Sequence, residues 1–116
     1  MAWFYLSAGT MVVTALVHSG LGERQLISPL LAIEVPIVQR SLARQVLRYA
    51  WHFTSVLMIL NAVVVVWPDV PLGLIRLTGL VWLSIGIADA ILTHGKHLGW
   101  PLITAAGAFA LFASRT

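Results

Sequence analysis

The chain has 116 residues, of which 59% are hydrophobic and 9% are charged, and its mean hydropathy is +0.94. A soluble domain carries about 25% charged residues, so this composition excludes an ordinary water-soluble globule but suits a surface that faces lipid. The net charge of +3 is assigned to membrane topology and not to a nucleic-acid partner, and the absence of cysteine excludes disulfides and thiolate metal ligands.

Four apolar segments are long enough to be transmembrane helices, each of which needs roughly 20 apolar residues. The predicted fold is therefore an all-α integral membrane protein, a single domain over residues 1–116. It consists of a four-transmembrane-helix bundle with an interfacial segment between helices 1 and 2. The predicted helices cover residues 2–20, 46–67, 71–93 and 98–114. Glycines and a charge at residues 20–23 are expected to end the first helix, Pro68 the second and Gly95 the third. Trp51 and Trp67 near helix ends fit an aromatic belt.

The connection at residues 24–45 is apolar and contains Pro29 and Pro36. Such a segment is expected to lie along the membrane surface or to pack under the bundle. After Pro36, the spacing of Arg40, Arg44 and Arg48 predicts one stripe on a helix that leads into helix 2. Arginine binds phosphate well, so this stripe is a candidate site for an anionic group. The alternative is a topology signal with nonspecific anionic lipid.

The distribution of basic residues predicts the orientation. Lysine and arginine are concentrated on the side of the connections after helices 1 and 3, and fewer lie opposite. The first side has Arg24, Arg40, Arg44, Arg48 and Lys96, and the second has Arg76 and Arg115. The positive-inside rule then places both termini on the non-cytoplasmic side, and the expected location is a bacterial inner membrane.

Ionisable side chains recur at one depth near the cytoplasmic ends of three helices. His18, His52 and Asp89 lie about four to six residues inside those ends, which is roughly 6–9 Å at 1.5 Å per residue. Glu23 and His94 lie just outside this depth, and we call these five residues the polar layer. An aspartate at a helix centre costs about 2.5–3.5 kcal/mol in a membrane, so such groups usually face the bundle interior and have partners.

The leading hypothesis for the polar layer is a divalent transition-metal site. Two imidazoles and one carboxylate form the ligand set of many non-haem iron sites and also bind zinc, while copper and manganese are further candidates. His18, His52 and Asp89 would be the ligands, and Glu23 or His94 would complete the shell or act as a general base. A haem between two histidines is disfavoured, because small helices leave it little space. Such a site predicts metal-dependent oxidation or hydrolysis of an anionic or amphipathic substrate.

Two other functions remain open. In a non-catalytic accessory or scaffold subunit of a membrane complex, the polar layer would be an interhelical hydrogen-bond network. A small oligomeric channel or carrier would use it as a gate. No ionisable residue lies near the centre of any predicted helix, where a proton-coupled carrier generally needs one, which weighs against a carrier. Asn61, the most polar residue at that depth, is predicted to link helices.

Small residues in helices 3 and 4 predict close helix packing. Gly79, Gly86 and Ala90 recur along helix 3, and residues 106, 107 and 110 of helix 4 are also small. They allow backbones to approach within one chain or between chains. Since four short helices bury little surface, a homo-oligomer or a place in a larger complex is expected, with the lipid bilayer around it.

Overall fold

A computed structural model describes residues 1–115, and over this range the chain is all-helical without a strand. The helices are α1 (Ala2–Gly22), α2 (Ser28–Leu31), α3 (Pro36–Gln39), α4 (Ser41–Val66), α5 (Leu72–Leu92) and α6 (Gly99–Ala113), with a π-helical stretch (Glu23–Ile27) between α1 and α2. Three helical segments are long and apolar enough to cross a membrane: Ala2–Leu31, α4 and α5. α6 is also apolar but has only 15 residues.

The first α-helix ends at Gly22, within the predicted residues 20–23, but the helical path continues beyond it. The backbone stays helical through both glycines and the π-helical stretch as far as Leu31. Gly22 allows close packing, since a Cβ there would lie 2.4 Å from Nε1 of Trp51. Pro29 does not break the helix either, because it lies in the first turn of α2, where its missing N–H costs little.

α4 begins at Ser41, earlier than the predicted second helix, because residues 41–45 are mostly good helix formers. Arg40 precedes this helix with an extended backbone (φ −67°, ψ 127°). The prediction of one helical stripe of three arginines is therefore wrong at Arg40. Only Arg44 and Arg48 share a face of α4.

The four long helices run alternately up and down. α1 packs against both α4 and α6, and α5 packs against α6, whereas α4 and α5 hardly meet. A small apolar core joins the helices, and its buried members are Met11, Ala62, Val65, Trp82 and Ala106. Nε1 of Trp82 donates to Oδ1 of Asn61 at 3.0 Å, which links α5 to α4 and confirms the predicted role of Asn61.

α5 and α6 approach most closely where both helices have small residues. A Cβ on Gly107 would lie 2.4 Å from the backbone nitrogen of Leu83, and one on Gly79 would lie 3.0 Å from the carbonyl oxygen of Gly107. The predicted close packing is thus confirmed within the chain. Because these glycines face each other inside one chain, they lend no support to the predicted homo-oligomer.

Large apolar side chains cover much of the outer surface. On α4, for example, Val56 is 58% exposed and Leu60 is 55% exposed. Contiguous exposure of this kind is rare on monomeric soluble proteins, which show only limited apolar patches. The surface is therefore consistent with a location in a membrane.

Candidate functional site

Two reciprocal hydrogen bonds join His18 of α1 to Trp51 of α4. Nε1 of Trp51 donates to the carbonyl oxygen of His18 at 2.8 Å, and Nε2 of His18 donates to the carbonyl oxygen of Trp51 at 3.1 Å. The two rings stack with their centroids 4.1 Å apart and their planes 13° apart. A carbonyl can only accept, so Nε2 of His18 carries a hydrogen and is not free to bind a metal.

His52 uses both of its ring nitrogens within the chain. Nδ1 lies 2.9 Å from Oγ of Ser19, and Nε2 lies 3.2 Å from Oε2 of Glu23. The other carboxylate oxygen of Glu23 lies 2.7 Å from Nε of Arg48, and Oγ of Ser19 lies 2.6 Å from Oγ of Ser55. A polar chain therefore runs from exposed Arg48 to buried Ser55.

Together these contacts join the end of α1 to the first half of α4. We call this set the α1–α4 clamp, and its members are His18, Ser19, Glu23, Arg48, Trp51, His52 and Ser55. Four of these residues, His18, Glu23, Arg48 and His52, were candidates on sequence grounds, whereas the two serines were not. Trp51 was predicted only as part of an aromatic belt, and its hydrogen bond to α1 was not predicted.

Ser19, His52 and Glu23 follow the order hydroxyl, imidazole and carboxylate, which is also the order of a nucleophile, its base and the group that orients the base. Acyl transfer further needs donors for the developing oxyanion. Ser19 lies inside α1, where the backbone N–H groups are used by the helix. Its hydroxyl also contacts buried Ser55. These contacts favour a link between helices over a nucleophile.

Asp89 does not approach His18 or His52 but pairs with His97. Oδ2 of Asp89 lies 2.5 Å from Nδ1 of His97, in the connection between α5 and α6. His94 lies exposed in the same connection with a left-handed backbone (φ 53°).

Within residues 1–115, no group of three or more His, Asp or Glu side chains is arranged to hold a metal ion. The predicted ligands His18, His52 and Asp89 bind different partners. The metal hypothesis therefore has no support from the geometry of the polar layer.

Two arginines of the predicted anion site, Arg44 and Arg48, bind the chain itself. Nη1 of Arg44 donates to the carbonyl oxygen of Leu31 at the end of α2, and Arg48 pairs with Glu23. Beneath them, Ile27, Leu31 and Val38 form a buried cluster against Trp51. Part of the connection at residues 24–45 thus packs against α4.

One feature near the clamp was not predicted. A partly open cavity of about 380 Å³ lies between α1, α4 and the start of α6, with His18, Trp51, Lys96 and His97 in its wall. Its other wall residues are mostly apolar and come from distant parts of the sequence. The sequence feature that could have pointed to this cavity was the pair of basic side chains after α5, Lys96 and His97.

Comparison with protein-family models, with curated proteins and with solved structures gives no match. The function of this chain is therefore indicated by its own side chains alone.

Proposed function

We propose that the protein is an integral membrane protein of four transmembrane helices that serves as a non-catalytic accessory or scaffold subunit. One observation carries the proposal. His18, Glu23, His52 and Asp89 each hold another group of the same chain. Side chains used in this way stabilise one arrangement of helices, and interhelical hydrogen bonds in a membrane contribute about 0.6 kcal/mol each.

The membrane part of the proposal includes α6 as a fourth span. Its 15 residues extend about 22 Å at 1.5 Å per residue, which is less than the roughly 30 Å of an average hydrocarbon core. A short span is accommodated by local thinning of the bilayer at modest cost. The alternating directions of α1, α4, α5 and α6 fit four crossings. The excess of basic residues assigns the clamp end to the cytoplasm.

Labelling of single cysteines tests this topology, because the natural chain has none. We expect Trp67→Cys, at the exposed turn after α4, to react with a membrane-impermeant maleimide in intact cells. Lys96→Cys, in the connection after α5, should react only after lysis, since the two connections lie at opposite ends of α5. The reversed labelling pattern would contradict the orientation. Release of the protein by alkaline carbonate would contradict membrane insertion.

The scaffold role predicts that His52→Gln lowers stability without removing a chemical activity. The change disrupts the bridge from Ser19 to Glu23, so the free energy of unfolding should fall by about 1 kcal/mol. Thermal unfolding in detergent measures this loss. Elemental analysis should find no stoichiometric metal in either protein, and a serine-reactive fluorophosphonate should label neither. A fixed membrane partner should co-purify with the natural chain and in lower yield with the variant.

His94→Gln is the matched control, because the His94 side chain is exposed and has no partner among residues 1–115. It should leave the unfolding temperature and partner yield unchanged. Stoichiometric metal that is lost in His52→Gln would restore the metal hypothesis. Fluorophosphonate labelling that is lost in Ser19→Ala would instead make Ser19 a nucleophile.

A further inference from the structure

The cavity beside the clamp has the size and walls of a small-molecule site. Its volume of about 380 Å³ falls within the roughly 300–1,000 Å³ that is usual for such sites. Apolar side chains from three helices and the π-helical stretch form most of the wall. They include Val17, Leu21, Leu26, Met58, Leu102 and Ile103.

The polar part of the wall includes a lysine ammonium group and no carboxylate. Lys96, His97 and Gln25 line the cavity, whereas no aspartate or glutamate does. Lys96 is exposed and has no acidic partner among residues 1–115. Two carboxylates at this end of the bundle already hold other groups, since Glu23 binds Arg48 and Asp89 binds His97.

The His97 ring has a defined place beside Lys96. Its Nδ1 is held by Asp89 at 2.5 Å, and its Nε2 has no partner among the described residues. Gly99 leaves room for the ring, because a Cβ there would lie 2.8 Å from Cε1 of His97. Asp89 is therefore a positioning residue for an imidazole at the cavity.

We propose that this cavity binds a single-chain amphiphile with an anionic head group, namely a long-chain carboxylate from the bilayer. The alkyl chain would lie against the apolar wall between α1 and α6, and the carboxylate would lie at Lys96 and His97. A charge-assisted hydrogen bond is about twice as strong as a neutral one, so an alcohol of the same chain length binds more weakly. The proposal requires the membrane location but not the scaffold role.

The test measures equilibrium binding of radiolabelled palmitate to the full chain in nanodiscs of phosphatidylcholine, a lipid without net charge. Uptake by protein-free nanodiscs is subtracted. We expect saturable binding of one palmitate per chain. Lys96→Gln should weaken it about tenfold or more, the effect of losing one charged contact. Hexadecanol should compete at least about tenfold more weakly than unlabelled palmitate.

Arg24→Gln is the matched control, because it removes one exposed positive charge at the same end of the bundle without touching the cavity wall. Its palmitate affinity should equal that of the natural chain. Val17→Trp, which fills the cavity, should abolish binding. Both basic variants alter exposed side chains and are expected to fold. Equal affinities for palmitate and hexadecanol, equal losses in the two basic variants, or no uptake above protein-free nanodiscs would each overturn the proposal.

Discussion

Gly107→Val is expected to lower the free energy of unfolding by about 3 kcal/mol or to separate α5 from α6. A Cβ at Gly107 would lie 2.4 Å from the nitrogen and 2.8 Å from Cα of Leu83. These are backbone atoms in the middle of a helix, so no side-chain rotation relieves the collision. Overpacking of a well-packed core typically costs about 1–3 kcal/mol, and a collision with backbone lies at the upper end. Thermal unfolding in mild detergent measures the loss.

Gly9→Val is the control for this substitution, because nothing lies within 4 Å of a Cβ placed at Gly9. It makes the same chemical change in another apolar helix and should leave the unfolding temperature close to that of the natural chain. Equal stability of the two variants would contradict the close approach of α5 and α6.

Trp51→Ala is expected to cost about 3 kcal/mol, as is usual when a large aromatic side chain is removed from a packed site. The substitution deletes the hydrogen bond to the carbonyl oxygen of His18 and the stacking of the two rings. It also removes the wall against which Ile27, Leu31 and Val38 pack. The connection between α1 and α4 should then become accessible to protease at lower temperature than in the natural chain, which limited proteolysis would measure.

Trp67→Ala makes the same change at a side chain that is 63% exposed at the other end of α4. It should leave both the unfolding temperature and the cleavage pattern unchanged. Protection of residues 24–40 in Trp51→Ala, at the level of the natural chain, would show that the interfacial segment does not depend on the clamp.

The apolar segments were predictable because the thickness of a bilayer sets the length of a spanning helix, and hydropathy reveals segments of that length in the sequence. The predicted range 71–93 and the observed helix Leu72–Leu92 agree closely. Proline at residues 68 and 71 ends one helix and precedes the next, since it cannot continue the hydrogen-bond ladder. The effect of proline on a helix boundary is local, so these boundaries can be predicted from the sequence.

The helical continuation beyond α1 was not predictable, because a glycine has two opposite uses in a helix. It ends a helix by adopting a left-handed backbone, or it remains helical and lets a neighbour approach. Gly95, with φ 73°, does the first, and Gly22 does the second against Trp51. Local sequence cannot separate the two uses, because the neighbour that requires the glycine lies in another helix.

The sequence predicts a common depth for the candidate site but not the direction of its side chains. A rise of 1.5 Å per residue predicts that His18, His52 and Asp89 lie at similar distances from one membrane face. Whether they meet depends on the rotation of each helix about its axis, which three isolated positions do not determine. His18 faces Trp51, His52 faces Ser19 and Glu23, and Asp89 faces His97.

The central place of α1 has a consequence for how the protein is made. Oγ of Ser7 donates to the carbonyl oxygen of Ala106 across a separation of 99 residues. At about 5–20 residues per second, a ribosome needs roughly 5–20 s to travel that distance. Until α6 has been synthesised, the side of α1 that packs against α6 has no native neighbour. Nascent chains that stop short of α6 should therefore recruit insertase or quality-control factors to that uncovered flank.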